Sequence, residues 1–285
     1  MPVLLAALAA SLLGVADYVG GLGSRRTIHR GAALSIAWMA SIVGVVVSVA
    51  YVLIFPVTAF THTDLLWSLG AGCFASGARP LLYMSMERGP MVVAAPTVGV
   101  VSLVVPAVVA PAFGSTPTSL EGLGVAMAIP AVVLIVSEGR VPRPRMVAGS
   151  PVFALAACTG LLIGMMALCL AQVDHGAAAA PAIVTQALSV ALIPLVATRF
   201  GGMAPGSADL RAFALLVGLI DIAAIIASTI AFQRGNVAVV AAILGFAPAA
   251  TIAIAWRFDG EQVRRWQWLG VGLAIATISL FAVAA

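Results

Sequence analysis

Three charged side chains stand in otherwise apolar stretches of the chain: Asp17, Arg79 and Asp221. A charge at the centre of a bilayer costs about 2.5–3.5 kcal/mol on insertion scales, so each must pair, face water or bind something. Asp221 falls at the middle of one apolar run, Arg79 about a turn past the middle of another, and Asp17 near the end of the first. A carboxylate facing a guanidinium suits a substrate carrying both charges, such as an amino acid or a derivative. If the two neutralise each other permanently, hydrophobic or cationic drug-like compounds fit better. A carboxylate whose arginine partner leaves can also exchange a proton, which offers a route to proton coupling.

Other polar groups keep company with these three. Tyr83 lies four residues after Arg79, on the same helical face. Gly218, Asp221 and Ser228 form one stripe with Thr229 beside it, and Thr97 adds a hydroxyl. Pro80 leaves the Ser76 carbonyl without its helical donor, and backbone freed at that depth needs a partner or a wet cavity. The candidate substrate-binding or coupling set is therefore Asp221, Arg79, Tyr83, Thr97, Ser228 and Asp17. Pro96, Pro106, Pro111 and Pro248 interrupt apolar runs and are the candidate hinges. Trp38, Tyr18 and Phe246 are candidates for an apolar wall.

Several chemistries are excluded. All 14 basic residues are Arg, so a Walker-type phosphate loop, a Schiff base and a catalytic lysine are ruled out. The sequence holds no H-E-x-x-H, no G-x-S-x-G and no aspartate-rich diphosphate motif, which argues against an intramembrane enzyme. His29, His62 and His175 have no zinc spacing. Cys73, Cys158 and Cys169 sit in apolar stretches at no disulfide or metal spacing and read as buried thiols. No cofactor or metal is expected. The Arg residues are scattered between apolar segments, so nucleic acid is not an expected partner; the lipid bilayer and a small-molecule substrate are.

The elements that must position these residues are helices in a membrane. The chain has 285 residues, 62% hydrophobic and only 8% charged, against about 25% charged in an average soluble domain. Spans of about 20 apolar residues are expected at roughly 3–20, 31–55, 65–86, 91–113, 119–137, 151–172, 178–198, 211–232, 236–256 and 266–284. The fold expected is an all-α membrane protein of ten transmembrane helices.

Shifting the chain by 146 residues aligns Arg88-Gly89 with Arg234-Gly235, Gly99 with Gly245, Gly114 with Gly260, and Leu123-Gly124-Val125 with Leu269-Gly270-Val271. There are 13 identities in the 47 positions from 88 to 134, well above chance for this composition, which marks a repeat. Upstream, Gly14 meets Gly160 and Gly72 meets Gly218. The halves are 1–137 and 151–285, joined by the Arg- and Pro-bearing loop 138–150. Five spans is an odd number, so the second half enters from the opposite side. A 5+5 inverted repeat is an architecture of secondary transporters. Of the 14 Arg, 12 fall in the loops after odd-numbered spans; the positive-inside rule places those loops in the cytoplasm and both termini outside.

The chain resembles ten-span EamA-type members of the drug/metabolite transporter superfamily. GEQVRRWQWLGVGLAIATISLF at 260–281 resembles that family's Gly-Glu turn into the last span of a half. ARPLLYMSMERGPMVVAAP at 78–96 resembles its span 3–4 junction, and GVADYVGGLGSRR at 14–26 the end of span 1. Ser115 stands in the first half where Glu261 keeps the family's Glu in the second. The resemblance implies a plasma-membrane protein with a central cavity lined largely by spans 3, 4, 8 and 9, alternating access, and export of amino acids, other small metabolites or drugs. It also implies cytoplasmic termini, opposite to the Arg count.

Overall fold

The computed structural model describes residues 1–26, 31–88, 91–114, 118–136, 151–177, 179–199, 202–204, 206–258 and 265–284. The connecting loop 138–150 lies outside them, as do Ser115 and Glu261. Among the described residues are eleven α-helices and no strand. They are α1 (Pro2–Arg26), α2 (Ala32–Ile54), α3 (His62–Arg88), α4 (Met91–Val109), α5 (Ser119–Val136), α6 (Pro151–Ala171), α7 (Ala180–Arg199), α8 (Ala208–Arg234), α9 (Val237–Leu244), α10 (Ala247–Phe258) and α11 (Arg265–Ala284).

Stretches of α1, α2, α6, α7 and α8 are each long and apolar enough to cross a membrane, so the chain is an all-α protein of membrane-embedded character. Helix α3 matches them in length but carries Asp64, Arg79, Glu87 and Arg88. The span expected at 236–256 is not one helix. It breaks between α9 and α10, because Pro248 has no N–H to give the Leu244 carbonyl. The chain turns there instead, with Gly245 N–H bonding to Ala241 O at 2.9 Å and Phe246 N–H to Ile243 O at 3.0 Å. Helix α4 stops at Val109, and Pro111 lies beyond it in a 3-10 turn, Ala110–Phe113.

Small residues let the helices approach closely, as they do where lipid is as apolar as the helix surface. Gly14 of α1 packs on Ala247, Ala250 and Thr251 of α10, and the Thr251 hydroxyl donates to Gly14 O at 2.9 Å. Gly160 of α6 packs on Val98 and Val101 of α4. Gly72 of α3 packs on Leu188 and Thr185 of α7, and Gly218 of α8 on Val43 and Ala40 of α2. The most extensive pairings are α1 with α8, α3 with α6, α4 with α6 and α5 with α11. At the α2–α7 crossing, Trp38 Nε1 donates to Val190 O at 2.9 Å.

Thr61 and Asp64 form a capping box at the start of α3. The Thr61 hydroxyl accepts from Asp64 N–H at 3.2 Å, while the Asp64 carboxylate accepts from Thr61 N–H at 2.7 Å. Its other oxygen accepts from Asp174 N–H at 2.9 Å, and Gly176 O accepts from the N–H groups of Thr58 and Ala59, both at 3.1 Å. These bonds clasp the α2–α3 loop to the α6–α7 loop. Ser207 caps α8 by accepting from Leu210 N–H at 3.2 Å. Ser35 Oγ donates to Ala204 O at 3.1 Å, tying the start of α2 to the α7–α8 loop.

The thiols correct an expectation: Cys73 and Cys158 are exposed and only Cys169 is buried. A helix in a bundle has a lipid face as apolar as its core face, so an apolar run does not say which side a residue takes.

Two measurements check this packing. At Gly160 a Cβ would stand 2.7 Å from Val101 Cβ and 2.8 Å from Val98 O, whereas at Gly122 nothing lies within 4 Å. Gly160→Ala is expected to destabilise the protein by about 1–3 kcal/mol and Gly122→Ala to leave thermal melting near wild type. Asp64 is pushed up by burial, but the Asp174 N–H and the Thr61 hydroxyl and N–H outweigh this and hold it below its ordinary value. A carboxylate lowered by folding stabilises above its unfolded value and loses that contribution as pH falls through its folded value. Melting temperature should therefore drop on acidification below the ordinary carboxylate range, and that acid-dependent part should be smaller in Asp64→Asn.

Candidate functional site

A cavity of about 210 Å³ opens in the middle of the bundle. Residues of α1, α3, α4, α6, α8 and α9 line it, joined by Thr185 of α7 and Ala247 of α10. Its walls are mainly apolar, with Leu13, Leu82, Ile163, Met166 and Phe232 among them. Three titratable groups face it among the described residues: Asp17, Arg79 and Asp221. They are the same three charges that stand in otherwise apolar stretches of the sequence. Helices α1 and α6 share in the lining, which extends the set of spans 3, 4, 8 and 9 that the resemblance implied.

Arg79 Nη2 lies 2.7 Å from Asp221 Oδ2, and the two side chains are 16% and 12% exposed. No directed hydrogen bond reaches Asp221 Oδ2, so the contact is one of charge rather than of aligned donor and acceptor. Arg79 Nη1 donates to Ser41 Oγ at 3.3 Å, and Ser41 in turn donates to Ala37 O at 2.9 Å. Thus α2 holds the guanidinium from one side while α8 faces it from another. Pro80, next to Arg79, is itself buried. Asp17 is half-buried and has no ion pair among the described residues.

The remaining candidates divide. Ser228 lines the cavity, with its hydroxyl donating to Ile225 O at 3.0 Å. Thr229 is fully buried and does not line it. The side chains of Tyr83, Thr97, Pro96 and Pro248 lie outside the described residues. Pro106 is buried in α4 beside Gly164 of α6, and Pro111 is exposed beyond the helix end, so it is not placed to bend α4. Trp38 and Phe246 pack elsewhere, Trp38 against α7 and Phe246 in the core. Four residues at the site are not among the candidates drawn from the sequence: Ser41, Ser102, Thr185 and, known there only as a repeat position, Gly245. The signal for the first three is slight, a single hydroxyl in an apolar run, and most such hydroxyls bond only to their own helix.

No family model matches the chain, and no curated protein matches it. Among solved structures, 29 chains match. One, described only as a protein, superposes with a TM-score of 0.69 at 18% identity, covering 99% of this chain and 95% of its own. That likeness shows a shared fold along the full chain.

Removing one member of a buried ion pair leaves an uncompensated charge and costs about 3–5 kcal/mol, while replacing both is often neutral. Arg79→Gln and Asp221→Asn are each expected to lower the melting temperature, with the double variant recovering most of the loss. A double variant no more stable than the singles would mean that the 2.7 Å contact does not govern their stability.

Proposed function

We propose that the protein is a secondary active transporter working by alternating access, an exporter of a small solute and a ten-span EamA-type member of the drug/metabolite transporter superfamily. The observation that carries this reading is a central, mostly apolar cavity holding three charges in a bundle whose packing repeats at the 146-residue shift. Gly14 and Gly160 each receive the other half's broken or proline-bearing helix, α10 and α4 respectively. Gly72 and Gly218 each receive α7 and α2, again exchanged between halves. The N-caps Thr61 and Ser207 stand the same 146 residues apart. Exchange of partners at equivalent positions supports a 5+5 inverted repeat in which α9 and α10 together make the ninth span.

The two loop contacts support the same topology. The α2–α3 loop meets the α6–α7 loop, and the start of α2 meets the α7–α8 loop. Ten crossings put the first two on one membrane face and the second pair on the other. The Arg distribution then makes the latter face cytoplasmic in a plasma or inner membrane.

Arg79 and Asp221 offer a carboxylate-bearing and amine-bearing substrate one partner each, which favours an amino acid or derivative, with Ser228 in the cavity wall. Proton coupling follows if Asp221 gains a proton when Arg79 turns to the substrate. A second reading is favoured by the closed 2.7 Å pair. With Arg79 and Asp221 satisfied by each other, Asp17 is left as the unbalanced charge among the described residues that line the cavity, and a hydrophobic cation is its complement.

Purified protein in proteoliposomes, loaded in turn with phenylalanine, tetraphenylphosphonium and benzoate under an imposed proton gradient, tests both. Phenylalanine flux lost in Arg79→Gln supports the zwitterion reading. Tetraphenylphosphonium flux lost in Asp17→Asn supports the second. Wild-type fluxes no faster than empty liposomes for a wider metabolite mixture overturn transport itself. Normal flux in the Arg79→Gln, Asp221→Asn double variant makes the pair scaffolding.

A further inference from the structure

Gln186 of α7 is 1% exposed, and neither its amide nitrogen nor its amide oxygen has a partner in the protein. Buried polar groups are nearly always satisfied, and an amide left dry is costly. Among the described residues three buried hydroxyls share its condition, Thr185 beside it in α7, Ser48 on α2 and, away from this crossing, Thr229 on α8. A hydroxyl in a membrane helix can always turn back to a carbonyl three or four residues earlier. Ser41, Ser76, Thr159, Ser189 and Ser228 all do so; Ser48 and Thr185 do not.

The backbone makes room for the amide. A Cβ at Gly44 would stand 2.6 Å from Gln186 Nε2, so the amide lies directly against the glycine of α2 at this crossing. Ser48 follows Gly44 by one turn on the same face of α2, and Ser41 precedes it by one turn. Ser41 is the residue that accepts from Arg79 Nη1 at 3.3 Å. Thr185, on the other side of the amide, lines the central cavity.

We infer that Gln186, Ser48 and Thr185 enclose a second binding position, between α2 and α7, which holds water and joins the central cavity through Thr185. The chemistry selects water. The groups are all neutral, so nothing balances a bare ion, and the amide presents donor and acceptor together, where a metal cation would meet N–H. Four polar atoms can supply the two to four bonds that a buried water needs. Gly44, against which the amide packs, sits one helical turn from the hydroxyl that steadies Arg79. A guanidinium that releases Asp221 therefore retracts toward a hydrated wall instead of hydrocarbon. Gln186 is thus a positioning residue for Arg79, and this role rests on the reading of the cavity as a transport site.

Hydroxyl-radical footprinting in water enriched in oxygen-18 tests the position directly in the purified full chain. We expect label on the buried side chains of Ser48, Thr185 and Gln186 in wild type. It should fall about fivefold at Ser48 and Thr185 in Gln186→Leu, the worth of one net hydrogen bond, and be kept in Gln186→Asn. Gln186→Leu should melt no higher than wild type, and Ser41→Ala should cost less in the Gln186→Leu background than alone, since groups in one network are not additive. An unlabelled wild type, or a Gln186→Leu variant that melts higher, overturns the water position. Additive costs overturn the link to Arg79. None of these readouts uses transport: a chain that moves no solute would leave the water position standing, and an unlabelled Gln186 would leave the transport reading standing.

Discussion

A guanidinium and a carboxylate 2.7 Å apart amid apolar helices set the terms for the residues around them. Neither charge could be placed there alone without a penalty of several kcal/mol, so α3 and α8 must be brought into register before either is acceptable. The helices that carry them approach through glycine: Gly72 lets α3 close on α7, and Gly218 lets α8 close on α2. Ser41 then completes the cage around Arg79 from α2. The ion pair, the glycines and the hydroxyl form one arrangement, in which each makes the next affordable.

Outside that arrangement, satisfaction is local. Most hydroxyls in the spans fold back on their own helix, and helix starts are capped by Thr61 and Ser207. Among the described residues, the buried side chains with an atom that no directed bond reaches include Ser48 on α2, Thr185 and Gln186 on α7, and Asp221 and Thr229 on α8.

Much of this was legible in the sequence because a membrane makes charge conspicuous. Asp17, Arg79 and Asp221 stood out against apolar runs, and all three face one cavity. The glycine coincidences at the 146-residue shift were equally legible, since a glycine that admits a neighbouring helix cannot drift in either half. What was not legible depends on which side of a helix a residue takes. The exposed Cys73 and Cys158 share their runs' apolarity with buried Cys169, and composition does not separate a lipid face from a core face. Ser41 and Thr185 were overlooked for a related reason: a lone hydroxyl looks alike whether it serves its own helix or a neighbour's guanidinium. The break between α9 and α10 was half visible, as Pro248, but membrane helices tolerate proline, so its presence does not by itself mark a break.

That break has a mechanical meaning. Helix α4 continues unbroken past Pro106 to Val109, whereas the stretch 146 residues further along the chain is two short pieces meeting at Gly245-Phe246, with Gly245 in the cavity wall. Helix α4 is thus a rod and the α9–α10 pair a jointed one. Force applied at the end of a rod arrives at the other end; force applied to a jointed one is taken up at the joint. The wall of the cavity built from α9 and α10 therefore has a joint at Gly245-Phe246 that the wall built from α4 lacks.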